Sequence, residues 1–493
     1  MSTQFASVCR TSCLVLTLTA LCACAVGPNF TRPASPAAER YTSEAMPAAT
    51  LAADGSSQQF RSGDALSADW WRLFGSAPLD AQVLRSLAGS PTLQASAATL
   101  RQSQDNLRAG YGVFYPQASA ELTAARERST PPGQASGAAS SVFNLVTLSG
   151  TISYALDLFG GERRKVEGLK AQVDYQRYLN RAAWLTLSAN VVNTSIARAA
   201  YVAQVRATEQ LIELQRQQLR STQTLVDAGA APYADVLSLR SLIAANQASL
   251  APLRQKVSQT GDLLASLEGS VPSATTPPDI DLEALTLPTD LPVSLPSELA
   301  RQRPDILASE ALLHAASATI GVATAAMFPS ISLSATYGSA GSGFGSLGAS
   351  AGRFWSIGPA ASIPVFQGGR LWYGRKAAID AFQAAQAAYR QTVLDAFAQV
   401  ADSLQALQHD AQGLQAELDA RRAAQEALHL TQVNYSAGLA SFVDVWAADV
   451  QFHEATIGYL QAVAQRHQDT VALFVALGGG WWNEARTTPQ TSP

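Results

Sequence analysis

The chain has 493 residues, a net charge of −4, and only 15% charged residues against 47% hydrophobic ones. Length suggests about three domains as a soft prior, and the charge balance excludes a basic surface for nucleic acid. Past residue 26 no segment approaches 18 uninterrupted apolar residues, which excludes a spanning helix and leaves any membrane role to strands or to a lipid.

The four cysteines stand at positions 9, 13, 22 and 24, and none follows. A disulfide framework needs cysteines spread through a fold, and a zinc site needs ligands from separate turns. Processing is the remaining reading. After Arg10 an uncharged run from 13 to 25 has the length of a signal-peptide core and is too short to span a bilayer. Leu21-Cys22-Ala23-Cys24 resembles a bacterial lipobox, so Cys24 is expected to carry the lipid and become the mature N-terminus. Cys22 is the rival, with Thr19 and Leu21 at less suitable positions, and a plain signal peptide cut nearby is the alternative. Ala25 follows the cysteine, which by resemblance to other lipoproteins favours the outer membrane.

The first predicted strands are QASAELTAA, the weakest, and TLSGTISYALDL. In the second, Leu148, Ile152, Tyr154, Leu156 and Leu158 share one face, and Ser149, Thr151, Ser153 and Asp157 the other. TPPGQASGAASS between them reads as a loop. No proline occurs from 133 to 231, and Val205, Ile212, Leu219 and Val226 recur every seven residues, predicting one very long coiled-coil helix. Unbroken over 161–226 it would be roughly 100 Å long. Gly229 suits its left-handed terminus, Pro232 the first turn of the next helix, and the two helices form a hairpin. A linker with six prolines follows, SVPSATTPPDIDLEALTLPTDLPVSLPSEL.

The pattern then returns. ISLSATYG sets Ile331, Leu333 and Tyr337 against Ser332, Ser334 and Thr336, and WSIGPAASIPVF puts Trp355, Ile357, Ile363 and Val365 on one side. GSAGSGFGSLGASAG is the loop between. Phe397, Val400, Leu404, Leu407, Ala411, Leu414 and Leu418 alternate spacings of three and four. Gly438 ends this helix, and Ser441 with Asp444 makes a capping box for the next. Landmarks such as Asp227-Ala228-Gly229 and Ser436-Ala437-Gly438, 209 residues apart, make duplication the economical reading. The expected organisation is a signal peptide over 1–23, a lipidated segment and first helical region over 24–110, and a first repeat over 111–269. A linker over 270–296, a second repeat over 297–480 and a tail over 481–493 complete it.

Catalytic and metal constellations are absent. His314, His409, His429, His453 and His467 fall in helical pattern without ligand spacing, and His453-Glu454 lacks the second histidine of a zinc-protease helix. The run from Gly343 to Gly348 matches GxGxxG by letter, but a strand follows instead of a helix. No cofactor and no metal are expected beyond a covalent lipid, diacylglycerol and an N-acyl chain, on Cys24. Asp235 and Asp444 read equally as partner contacts or as stabilisers of helix N-termini.

Four amphipathic strands cannot close a membrane barrel, and an open edge in lipid is prohibitive, so the chain must oligomerise. Two copies give eight strands with a filled interior; three give twelve, the smallest multiple of four able to leave a duct. The fold class expected is therefore mainly α with a membrane β-barrel: four strands and long coiled-coil helices per chain, in two tandem repeats. In a closed ring of copies the long helices would continue the strands as a second, α-helical barrel.

Several motifs carry a family resemblance along the whole length. They are Cys24-Ala25-Val26-Gly27-Pro28-Asn29-Phe30 with Arg32-Pro33, Trp70-Trp71-Arg72-Leu73-Phe74, Arg303-Pro304-Asp305-Ile306 with Glu310, Ile320-Gly321-Val322-Ala323, Phe328-Pro329-Ser330-Ile331-Ser332-Leu333, and the turns AGAAPYADV and AGLASFVDV. With these the chain resembles the outer-membrane efflux proteins, in the NodT-like lipoprotein branch of RND-type tripartite systems with a TolC-like fold. The resemblance implies a homotrimer with a 12-strand outer-membrane barrel continued by a periplasmic α-helical barrel, a periplasmic adaptor, an inner-membrane RND pump, and adaptor docking at the tips near Gly229, Asp235, Gly438 and Asp444. Relatives often carry an acidic gate residue just before the second tip turn; here the chain reads Leu430-Thr431-Gln432-Val433-Asn434, which carries no carboxylate. The expected function is a passive exit duct for small molecules. The alternative is the exit duct of a type I protein-secretion system, and a lipidated Cys24 argues against it.

Overall fold

The computed structural model describes residues 25–35, 38, 40–44, 46–64, 66–129 and 141–483. The leader, Cys24, the loop over 130–140 and the tail beyond 483 lie outside the described residues. In chain order the strands are β1 (Gln59–Ser62), β2 (Gln117–Ser129), β3 (Ser141–Leu156), β4 (Asp290–Val293), β5 (Ser330–Gly341) and β6 (Arg353–Ser362). The helices are α1 (Ala77–Gly89), α2 (Pro91–Tyr111), α3 (Gly161–Asp227), α4 (Tyr233–Leu267), α5 (Pro296–Gln302), α6 (Pro304–Ala325), α7 (Arg370–Ser436) and α8 (Phe442–Ala476). Duplication is written into the lengths: α3 and α7 each have 67 residues, and α4 and α8 each have 35.

The chain forms two compact units, and each draws on both repeats. The first comprises residues 1–33, 99–176 and 309–389, and it holds a four-stranded antiparallel sheet in the order β2-β3-β5-β6. In the two hairpins of this sheet the Ser129 and Ser141 ends and the loop 342–352 lie at the end away from the helices.

The second unit comprises residues 34–98, 177–308 and 390–493. Its core lies along the helical seams. Val400, Leu404, Leu407, Ala411, Leu414 and Leu418 are all buried, and Phe397 packs against them, as the spacing predicts. Trp70, Trp71 and Phe74, in a short 3-10 turn, are buried in the same core, with Trp71 Nε1 donating to Asp80 at 2.8 Å. Burying three large aromatic side chains in so small a segment explains its place among the motifs.

Four features differ from the sequence reading. The described chain has six strands, because β1 pairs in parallel with β4. β4 lies inside the proline-rich stretch, where Pro292 sits in a short strand of a two-stranded sheet that leaves its missing N–H unpunished. Strands β3 and β6 stop at Leu156 and Ser362, so Asp157, Leu158, Ile363 and Val365 lie beyond the alternation. Asp157 instead accepts from the backbone N–H groups of Glu162 and Arg163, at 3.1 and 2.9 Å, and caps α3. Pro232 is the extended N-cap residue of α4, not part of its first turn. Finally, α6 is apolar enough on average to cross a membrane, although half of that stretch is buried within the protein. Its serines, threonines and histidine break the uninterrupted runs that the sequence reading counted.

Candidate functional site

Three places carry the features singled out in the sequence: the two faces of the four-stranded sheet, the segment following position 24, and the helical tips. The sheet is sorted by face. Paired rows Ala118–Ile152, Tyr154–Leu333, Leu156–Ile331, Tyr337–Trp355 and Ala335–Ile357 share one parity. Ser119–Thr151, Ser153–Ser334, Ala155–Ser332 and Thr336–Ser356 share the other. Thr151 and Thr336 hydrogen-bond across that polar face at 3.1 Å. On the apolar face Leu122, Leu148, Ile152, Leu333, Tyr337, Trp355 and Ile357 are exposed, an arrangement suited to lipid and costly in water. The outer edges of β2 and β6 have no strand partner among the described residues.

Residues 25–33 lie along the first unit as a strap. Val26 N donates to Phe159 O at 3.0 Å, just where β3 gives way to α3. Arg164, whose side chain is buried, donates to Val26 O, to Asn29 Oδ1 at 2.7 Å and to Glu167 at 2.7 Å. Phe30 stacks on His314 with ring centroids 4.4 Å apart, and Arg32 pairs with Glu310 at 2.8 Å. A Cβ on Gly27, whose φ is +94°, would stand 2.6 Å from Gly321 Cα, so neither glycine leaves room for a side chain there. Motifs almost 300 residues apart thus converge on one strap. Burial alone would raise the Glu167 carboxyl, but hydrogen bonds from Arg164 and His314 outweigh it and hold its pKa below the usual range. Ala25 abuts Gly160 at the junction of sheet and helix.

The tips belong to the second unit. Gly229 and Gly438 have φ of +70° and +75°, and each is followed by an N–H that reaches back five residues: Ala230 to Leu225 O, Leu439 to Asn434 O. Ser441 and Asp444 form the predicted capping box, with Ser441 N donating to Asp444 at 2.8 Å. The bonds from Ser441 hold the Asp444 carboxyl below its ordinary pKa. Asp235 sits in the first turn of α4, and its charge reaches the second hairpin: burial first, then Asp235, raises the Tyr435 hydroxyl. Below the turns, Gln215 donates to Asp449 and accepts from Asn246, joining both hairpins. Sequence reasoning missed the apolar side chains around these turns. Tyr233, Leu237, Leu439, Val443 and Trp446 are all exposed, Leu439 at 80%. Their signal was present as large apolar residues beside turn glycines, where no core awaits them. Among the described residues no group of His, Cys, Asp or Glu could hold a metal.

Comparison with known proteins fits this geometry. The family described as outer membrane efflux protein matches residues 83–270 and 295–479. The toluene efflux pump outer membrane protein TtgC of Pseudomonas putida is 28% identical over 479 residues, 96% of each chain. The pyoverdine export outer membrane protein OpmQ of Pseudomonas aeruginosa is 30% identical over 431 residues, covering 84% of this chain and 88% of that one. Among solved structures, the outer-membrane channel OprN superposes with a TM-score of 0.83 at 26% identity, over 93% of this chain and all of that one.

Proposed function

The chain belongs to the outer membrane efflux protein family, and on that premise we propose how its two-faced sheet and its tips work as an exit duct. The protein is an outer-membrane channel of an efflux system, extending into the periplasm, and not an enzyme. As the outer-membrane member of a tripartite system it works with an adaptor and a pump.

The observation that carries the proposal is the sorted sheet with both edges unpaired among the described residues. In lipid each unpaired N–H and C=O costs several kcal/mol, so β6 of one copy joins β2 of the next. Three copies make a closed ring whose serine and threonine face lines water. The pump is of the RND type, and its adaptor docks on the apolar rim of Tyr233, Leu237, Leu439, Val443 and Trp446, set by Gly229, Asp235, Gly438 and Asp444. A lipid on Cys24 anchors the strap at the periplasmic membrane surface, in keeping with Ala25 beside Gly160. Relatives named for toluene, antibiotic and pyoverdine efflux favour small molecules over a secreted protein.

Deleting the gene tests this reading. Cells should accumulate small toxic compounds and become sensitive to them, with secreted proteins unchanged. A loss of one secreted protein with unchanged compound accumulation would favour the type I secretion duct instead.

A further inference from the structure

Among the described residues of the four-stranded sheet, five side chains are charged: Glu121, Arg126, Glu127, Arg128 and Arg353. They are sorted by face. Glu121 pairs with Ser149 and Glu127 with Phe143, on the parity of the Ser119–Thr151 row that lines the duct. Arg126 pairs with Asn144 and Arg128 with Val142, on the parity of Leu122–Leu148 and of Ala118–Ile152, the lipid-facing side. Arg353 pairs with Ser339 on the parity of the lipid-facing Tyr337–Trp355 row.

They are also sorted by depth. Arg126 and Arg128 lie within the last four residues of β2, and Arg353 is the first residue of β6. Each therefore stands at the loop end of its own strand, although Arg353 shares the ladder row of Ser339, Leu148 and Leu122, four residues before Arg126. Tyr337 and Trp355, both strongly exposed, lie one step nearer the middle, the position of an interfacial aromatic girdle. The arginines beyond that girdle reach headgroup level. They are exposed, and none has a carboxylate within ion-pair distance among the described residues; Arg353 Nη2 donates only to Gly348 O, at 3.2 Å. Closure of the ring as proposed above brings β6 of one copy beside β2 of the next, and so puts Arg353 on the strand adjoining the one that carries the neighbouring Arg126 and Arg128.

We propose that Arg126, Arg128 and Arg353 form a phosphate-binding rim, one at each junction between copies, that takes the phosphate groups of the outer-leaflet glycolipid lipid A. Guanidinium forks match phosphate oxygens in bidentate geometry, and basic clusters at headgroup depth select anionic lipids. Both carboxylates point into the duct, so no like charge faces the phosphates. The proposal rests on the outer-membrane channel reading. A barrel that merely keeps its arginines in water would bind phosphorylated and dephosphorylated lipid equally.

The test uses the full chain, assembled and conducting, in lipid nanodiscs. Binding of diphosphoryl lipid A is compared with binding of the same lipid after dephosphorylation. Wild type should prefer the phosphorylated lipid at least tenfold, and millimolar inorganic phosphate should not displace it. The combined Arg126→Gln, Arg128→Gln, Arg353→Gln variant should lose the preference, the triple lysine variant should keep most of it, and Glu127→Gln on the duct face should not alter it. Equal binding of both lipids by wild type overturns the proposal, as does a preference surviving in the glutamine variant. If that variant fails to assemble, the wild-type comparison and the lysine variant still decide. Conductance recorded on the same preparation keeps the two readings apart, because a conducting channel without lipid preference refutes only the rim.

Discussion

Asp410 on α7 illustrates what single residues decide. Its buried Oδ2 has no donor, and the Asp469 carboxyl of α8 is its close neighbour. Burial first, then the hydrogen bond and charge of Asp469, push Asp410 up to about 8, against the pull of Arg466. Asp410 therefore keeps its proton at neutral pH. A carboxyl raised from its ordinary value near 4 binds more protons folded than unfolded, so stability falls as pH rises from about 4 to about 8. Asp410→Asn should raise the melting temperature at pH 8.5, and the gain should shrink as pH falls and vanish near pH 4. A gain independent of pH would mean that the Asp410 carboxyl is not raised. Cys24 is the other residue whose chemistry can be isolated. Cys24→Ala should abolish acyl labelling and leave an uncleaved or differently cleaved precursor, while the barrel still inserts. Persistent labelling would move the lipid to Cys22 or remove it from the account.

At the scale of elements, legibility in the sequence followed periodicity. The α7 seam and all four strands of the large sheet were readable because a fixed period repeats over many residues, whereas β1 and β4, at four residues each, repeat nothing. The strap was readable only as scattered motifs, since the Gly27–Gly321 approach and the Arg164 bonds join segments far apart in the chain. The tip glycines and the capping box were legible because turn chemistry is local; the apolar rim around them required knowing which side chains a core would leave uncovered. Strand β3 offers the sharpest test of facing. Ile152→Arg points into lipid and should impair assembly, at a cost of roughly 2–4 kcal/mol near the midplane. Ser153→Arg should assemble normally and change conductance. Equal defects at the two positions would put the strand in the wrong register. At the tip, a Cβ on Gly438 would meet nothing within 4 Å, so Gly438→Val strains only the backbone, by about 1–2 kcal/mol. The channel should reach the outer membrane at normal abundance yet lose adaptor crosslinking and drug export. Full resistance with intact crosslinking would reduce the glycine to a helix stop.

At the scale of the whole molecule, the chain carries a sheet that cannot close alone and helical hairpins repeated at equal length, and the open sheet asks for several copies. The central claim is that the serine and threonine face of that sheet lines a conducting path. The chain makes the claim testable, because its four cysteines all lie at or before position 24, so an introduced cysteine in the sheet is the only one beyond that segment. Neighbouring residues Leu333 and Ser334 face opposite sides of β5. Purified Ser334→Cys and Leu333→Cys channels should be recorded in planar bilayers before and after a bulky cationic thiol reagent. The account predicts that conductance drops on modification at Ser334→Cys and is unchanged at Leu333→Cys; block at Leu333→Cys alone, or no conductance from an assembled wild-type channel, would contradict it.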